Sequence, residues 1–324
     1  MSRLLRTSVH HGLVLLNKKS GLTSFDSLKI VKRAFATGKV GHTGTLDKFA
    51  SGLLLILVGR GVKLAPLFSG CDKEYTATVR FGEETETLDP EGAVVAQSPL
   101  PAREAVEAVL DSFRGEILQA PPAYSAIHIG GKRAHELARE GKVPEMKKRP
   151  VTIHALEIVS WSPPEMVMRV RCSAGTYIRS LARDIALAAG SRAHLTALVR
   201  TSVGVFRVED SVDGGDDGVE GEPQHVATAL RPLDSKLFKA MGLPCIYMEE
   251  KAAQGFLHGK PLAQLLPPDL NTTSFANAQD DTSSPLVAGV FKKPPAGMDA
   301  EASALLGVVD YRNGAWSYAH VFSE

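Results

Sequence analysis

The chain has 324 residues, 44% of them hydrophobic and 23% charged, the balance of an ordinary soluble globular protein with room for two domains and buried cores. No apolar stretch approaches the roughly 18 residues of a membrane span. Net charge is only +1, but it is segregated: residues 1–80 carry 13 Lys/Arg against 4 Asp/Glu, residues 112–207 carry 15 against 7, and residues 81–111 and 208–234 each carry 1 against 8. Two basic segments meeting in space would form a polyanion-binding face, whereas chance segregation would leave only a solvated surface.

The N-terminus has no secretory pattern, because the run Leu13 to Leu16 is too short for a signal core and no small-residue cleavage site follows it. That run reads as a buried strand, broken by Asn17-Lys18-Lys19-Ser20-Gly21. A helix is expected next, with Ser24 as N-cap and Phe25, Leu28, Val31, Ala34 and Phe35 at helical spacing. Gly41 to Asp47 reads as a loop, and Gly52 to Val58 as a second buried strand. Tyr75, Ala77, Val79 and Phe81 alternate with polar residues, as in a half-buried strand, and Glu83 to Gly92 reads as an acidic turn region. Val106, Val109, Leu110 and Phe113 predict a helix that stops at Gly115.

Gln119 to Arg149 holds two prolines, a Gly-Gly pair and many basic residues, the pattern of a long functional loop around a short helix. Met166 to Cys172 alternates as a strand, and Tyr177 to Ala189 follows as a helix ended by Gly190. Glu209 to Gln224 is acidic and glycine-rich, the composition of a mobile loop. A domain boundary is expected near Arg231 to Lys239, followed by a small β-rich unit whose clearest element is a hairpin turning at Asn313-Gly314. Residues 267–298 read mostly as a disordered insertion. Without regular βα alternation, the pattern favours an α+β fold with a mixed, largely antiparallel central sheet and flanking helices. Cys71, Cys172 and Cys245 are too widely spaced for a disulfide framework or a zinc site, so a reducing cytoplasm is expected.

The segment Gly41-His42-Thr43-Gly44-Thr45-Leu46-Asp47 sets one carboxylate and one imidazole on a glycine-rich loop between two apolar strands. A carboxylate held there can act as base or nucleophile. Read alone, Asp47 could equally cap a turn and His42 could sit on the surface. The segment resembles the signature of the TruB family of tRNA pseudouridine synthases. Gly12 to Gly21 with Lys18, Lys73-Glu74-Tyr75, Tyr124-Ser125-Ala126 with Gly131-Lys132-Arg133, Cys172 to Ser180, and Ala193 to Arg200 resemble further family motifs, in order and at family-like spacing. Lys19 and Lys48 depart from the pattern, standing where the family usually has proline.

The resemblance implies a pseudouridine synthase fold over residues 1–232 and a small β-rich, PUA-like RNA-binding domain over 240–324. It implies isomerisation of a uridine in the T-arm loop of tRNA (position 55), by base flipping, in a cytoplasmic enzyme that needs no metal, cofactor or protein partner and acts as a monomer. Asp47 would be the nucleophile, Arg179 its ion-pair partner that keeps its pKa low, and Tyr75 the ring that stacks on the base. A core tyrosine and a surface helix arginine are the plain alternatives for the last two. His42 would brace the flipped-out space, and Leu198 would wall the uracil. Lys18, Lys63, Lys132 and Arg133 would contact phosphates, and Tyr177 completes the substrate-binding set. A guide-RNA-dependent ribosomal RNA enzyme and a catalytically idle RNA chaperone are the competing functions.

Overall fold

The computed structural model describes residues 11–125, 127–129, 131–134, 137, 146–215, 223–266, 286–294, 303–312 and 315–322. The apolar run at the N-terminus is β1 (Gly12–Lys18), and the glycine-rich segment opens with β2 (Val40–His42) before β3 (Ser51–Val58). The alternating segment is β4 (Lys73–Phe81), whose residues are buried at every second position, as the two-residue period of a strand requires. A small hairpin of β5 (Glu83–Thr85) and β6 (Val94–Gln97) follows, then β7 (Gly115–Gln119), the short pair β8 (His128–Ile129) and β9 (Lys132–Arg133), β10 (Arg149–Ser162), β11 (Glu165–Cys172) and β12 (Ala193–Val203). The two-residue strands β13 (Phe206–Arg207) and β14 (Val212–Asp213) complete this part.

The main sheet has ten strands in the order β14-β1-β3-β12-β4-β11-β10-β7, with β2 on β3 and β13 on β12. β1 with β14 and β3 with β12 are parallel; β12, β4, β11, β10 and β7 pair antiparallel in turn. The sheet is thus mixed and largely antiparallel, as expected. β3 is buried from Gly52 to Val58, which explains its unbroken apolar run. Helices Arg103–Leu110 and Ile178–Ala188 lay Val106, Leu110, Ile178, Leu181 and Ile185 on the inward residues Tyr75, Ala77, Val79 and Phe81 of β4 to form the main core. β7 and β10 are not foreshadowed in the sequence reading.

The first expected helix starts later than its pattern suggests, at Leu28, and runs to Ala34. Ser24 does not cap it. Its buried hydroxyl instead exchanges hydrogen bonds with the backbone of Leu46, accepting from the N–H at 2.8 Å and donating to the carbonyl at 3.0 Å. Phe25 is left 65% exposed rather than facing the core.

By packing, the chain divides into two units: Val14–Ile56 with Leu64–Ala229, and the described residues of Met1–Leu13, Leu57–Lys63 and Leu230–Glu324. The second unit contains a four-stranded sheet in the order β15 (Cys245–Met248), β16 (Leu286–Lys292), β17 (Leu305–Arg312) and β18 (Ala315–Val321). Its core joins Ile246, Met248, Phe256, Val290 and Val309. β17 and β18 pair up to Arg312 and Ala315; the expected turn residues Asn313-Gly314 lie outside the described residues. The expected disordered stretch 267–298 needs correction, because Leu286–Lys292 within it is an inner strand paired on both sides. Its apolar run Leu286-Val287-Ala288-Gly289-Val290-Phe291 buries against the small core, which polar composition averaged over the longer stretch conceals. Residues 267–285 and 295–298 of that stretch, and 216–222 of the expected acidic loop, are also outside the described residues.

Candidate active site

The Asp47 loop is fixed from below by the turn that follows β1. Lys18 is 1% exposed, and its ammonium donates to the carbonyls of Leu22 at 2.7 Å, Lys19 at 3.0 Å and Lys48 at 3.3 Å. Gly21 N–H donates to the Lys48 carbonyl at 2.8 Å, and the Ser20 hydroxyl to that of Phe49 at 2.7 Å. Lys18 is therefore not a phosphate contact: its donors are used inside the protein, holding the loop of Asp47. Burial brings its pKa down to about 8, against the pull of the nearby Asp47 charge.

The far end of the loop is held by a close backbone approach. Gly52 has φ +100°, and a Cβ there would lie 2.8 Å from the Arg200 nitrogen. A side chain at this position would push β3 off β12 just where the loop returns to the sheet.

Arg179, in the first turn of the Ile178–Ala188 helix, organises the polar centre. Its Nη2 donates to Asp47 Oδ1 at 3.0 Å, and its Nε lies 2.9 Å from Oδ2, a two-pronged ion pair whose Nε–H points off the hydrogen-bond line. Nη1 donates to Asp89 Oδ2 at 3.0 Å and to the Thr87 carbonyl at 2.7 Å, and Nη2 also to the Tyr124 carbonyl at 3.1 Å. The planar fork of the guanidinium thus orients Asp47 while Asp89 anchors it from behind. The helix start is itself locked: the buried Gln119 amide donates to the Tyr177 carbonyl at 3.1 Å and accepts from its N–H at 2.8 Å.

The expected low pKa of Asp47 is corrected by this geometry. Burial pushes the carboxyl above its ordinary value, opposed by Arg179, reinforced by the Asp89 charge and opposed again by Lys18. The Arg179–Asp47 pair is present, but Arg179 divides its charge between two carboxylates.

A second group of side chains comes from the sheet. Arg200 on β12 stands opposite Tyr75 on β4, and Leu198 opposite Ala77, so the four share one face. A register shift between Arg200 and Ser202 aims the guanidinium at the loop, a common use of a bulge. Arg200 is buried, donating to the carbonyls of Leu53 at 2.7 Å and Gly44 at 3.3 Å. Burial raises the Tyr75 hydroxyl pKa and does the same for Tyr177. Tyr75 and Leu198 belong to the core and also line a cavity of ≈ 310 Å³ with Asp47, Tyr177, Arg179 and Arg200. A wider cleft of ≈ 800 Å³ adjoins it, lined among others by Phe25, His42, Asp47, Lys48, Glu91 and Arg179. Asp47 stands where the two spaces meet.

Of the expected residues, Asp47, Arg179, Tyr75, Tyr177 and Leu198 meet in the inner cavity, and His42 in the outer cleft. Burial lowers the His42 pKa, and Arg200 adds to this, so its ring is neutral at pH 7; its Nδ1 is buried without a hydrogen-bond partner among the described residues. Lys63 is exposed on a 3-10 turn, Gly59–Leu64, in the other packing unit. Lys132 and Arg133 form β9, but their side chains lie outside the described residues. The two positions that carry lysine for the family's proline make surface ion pairs, Lys19 with Asp213 at 3.0 Å and Lys48 with Glu91 at 3.5 Å. Asp89 and Arg200 escaped the sequence reading as site residues. Asp89 hides among neighbouring exposed acids and is singled out only by the fold, which presents it from a turn where Leu88 has φ +61°.

Comparison with known proteins places this constellation. Residues 32–178 match the TruB family pseudouridylate synthase (N terminal domain) model. The tRNA pseudouridine synthase B of Burkholderia lata is 42% identical over 266 residues, 80% of each chain. The chain belongs to the TruB family. The tRNA pseudouridine synthase B of Borreliella burgdorferi is 48% identical over 206 residues, 63% of this chain and 73% of the relative. Among solved structures, a Cbf5-Nop10-Gar1 complex shares the fold with a TM-score of 0.64 at 22% identity, over 96% of this chain and 84% of that one. This TruB chain is thus a pseudouridine synthase in fold and family, and none of its described helices is long and apolar enough to cross a membrane.

Proposed function

We propose that this protein isomerises uridine to pseudouridine in the T-arm loop of tRNA, at position 55, with Asp47 as nucleophile. One observation carries the reading: a carboxylate held by a buried arginine fork at the mouth of a cavity walled by Tyr75 and Leu198. The similarity to the Burkholderia lata tRNA enzyme supports tRNA as the substrate. The target nucleotide leaves its stack, at a cost of about a few kcal/mol, and its base enters the inner cavity. Asp47 attacks the ribose as the bond between C1′ and N1 of the uracil breaks. The base turns, C5 bonds to C1′ as the bond between Asp47 and C1′ breaks and frees the carboxylate, the C5 proton is lost and N1 takes one up. Tyr75 stacks on the base; burial keeps its hydroxyl protonated, ready to exchange a proton at the ribose. His42, neutral and at the cleft, fills the space the base leaves behind.

On this reading residues 1–232 are the catalytic domain, and 240–324 a PUA-like module that adds RNA contacts. Lys63, Lys132 and Arg133 touch phosphates, and the chain works in the cytoplasm as a monomer without a protein partner or cofactor. The test is purified protein with unmodified tRNA, followed by mapping of pseudouridine. Asp47→Asn is nearly isosteric and should abolish turnover while tRNA still binds; clear residual turnover in that variant removes Asp47 as nucleophile.

A further inference from the structure

Phe25 lies where its helical spacing would not put it. It is 65% exposed, it lines the outer cleft shared with His42 and Asp47, and the ammonium of Lys32 sits 4.8 Å from its ring centre. An exposed aromatic ring beside a cation is the surface on which unpaired nucleobases stack. The outer cleft, at ≈ 800 Å³, is more than twice the ≈ 310 Å³ of the inner cavity, more room than the edge of one flipped base uses. Its charge is wrong for the RNA backbone: four carboxylates, Asp47, Glu86, Asp89 and Glu91, face two cations, Lys48 and Arg179. Phosphates are repelled there, whereas the neutral face of a base is not.

We propose that Phe25 is a positioning residue that stacks on the nucleobase adjacent to the reacting uridine. The inference rests on the reaction assigned above and deepens it. Stacking the neighbour on Phe25, with Lys32 strengthening the platform, holds the sugar of the target at the junction where Asp47 stands. Lys32 comes from the Leu28–Ala34 helix, seven residues beyond Phe25, which lies in the turn that leads into it.

The experiment compares wild type with Phe25→Ala, Phe25→Leu and Phe25→Trp on a T-arm stem-loop. The same RNA is also used with an abasic nucleotide on the 5′ or the 3′ side of the target uridine. Phe25→Ala should lower kcat/KM about tenfold, equivalent to about 1.4 kcal/mol, mainly through KM. Phe25→Trp should restore activity and Phe25→Leu should not. One of the two abasic RNAs should be about tenfold poorer for wild type yet no poorer for Phe25→Ala, since the stack is then already absent. Independent losses with both abasic RNAs, or full activity of Phe25→Leu, overturn the proposal. Because Phe25 is exposed, the melting temperature should not move. Equilibrium binding of the same RNAs to Asp47→Asn reads the same coupling without turnover. If wild type bound these RNAs with the coupling intact but made no pseudouridine, the reaction assignment would fail and the stacking platform would stand.

Discussion

In the proposed reaction Asp47 must be ionised to attack, and burial holds its carboxyl above the ordinary aspartate value of 3.8. Lowering the pH protonates Asp47 and would remove the proposed nucleophile, earlier than for an exposed aspartate. Single-turnover rates measured against pH should therefore fall on the acid side with a midpoint above 3.8. The negative charge of Asp89 adds to the upward shift, so Asp89→Asn should move that midpoint downward. A midpoint that stays put would mean that Asp89 acts on Arg179 alone. Asp89→Ala goes further, since it strips a buried guanidinium of one of its two carboxylates. Leaving a buried charge partly uncompensated costs about 3 kcal/mol, to be read from denaturant midpoints.

The elements beneath the site contribute through backbone contacts that no catalytic motif contains. Gln119, at the end of β7, makes two hydrogen bonds to the backbone of Tyr177 and so fixes where the helix that carries Arg179 begins. Gln119→Ala leaves the Tyr177 N–H without this partner, while the Tyr177 carbonyl keeps the Leu181 N–H, at about 1–3 kcal/mol. It should lower kcat more than it raises KM, because Arg179 loses its registration while the cleft remains open. Gly52→Ala forces a side chain into positive φ and against the Arg200 backbone. The conformation alone costs about 1–2 kcal/mol, and the clash adds to it, so the variant should melt earlier and lose activity together. Unchanged activity in a destabilised Gly52→Ala would show that the spacing of β3 and β12 does not set the Asp47 loop.

For the whole molecule, the near-neutral total hides two basic segments, 1–80 and 112–207, whose contacts with phosphates would release counterions. The affinity for tRNA should then fall steeply with salt, with a log–log slope of about −0.7 to −0.9 for each phosphate neutralised. A flat dependence would assign the charge segregation another purpose. An isolated T-arm stem-loop should be a substrate, and the same sequence paired into a duplex should be inert, since an A-form helix hides base edges that a loop can splay out. Equal rates on the two would rule out loop recognition by base flipping.

The sequence by itself determined those features that depend on local periodicity or on motif identity. The period of two at Tyr75–Phe81 makes β4, the continuous apolar run makes β3, and Ile178 to Ala188 makes the helix of Arg179. The Asp47 segment and the arginine motif pointed to each other, and the ion pair between them is present at 2.9–3.0 Å. What only the tertiary structure decided concerns burial and long-range partnership, which residue type does not encode. Lys18 resembles any basic loop residue in sequence, yet its ammonium is enclosed by three carbonyls. Asp89 resembles its exposed acidic neighbours, yet it meets Arg179, 90 positions away in the chain. Ser24 has the chemistry of an N-cap, but Leu46 offers it both a donor and an acceptor, and two hydrogen bonds inside the core outweigh one at a helix end. Phe25 loses its inward place for the same reason: once Ser24 is tied to Leu46, the helix starts later and the ring is turned out to the cleft.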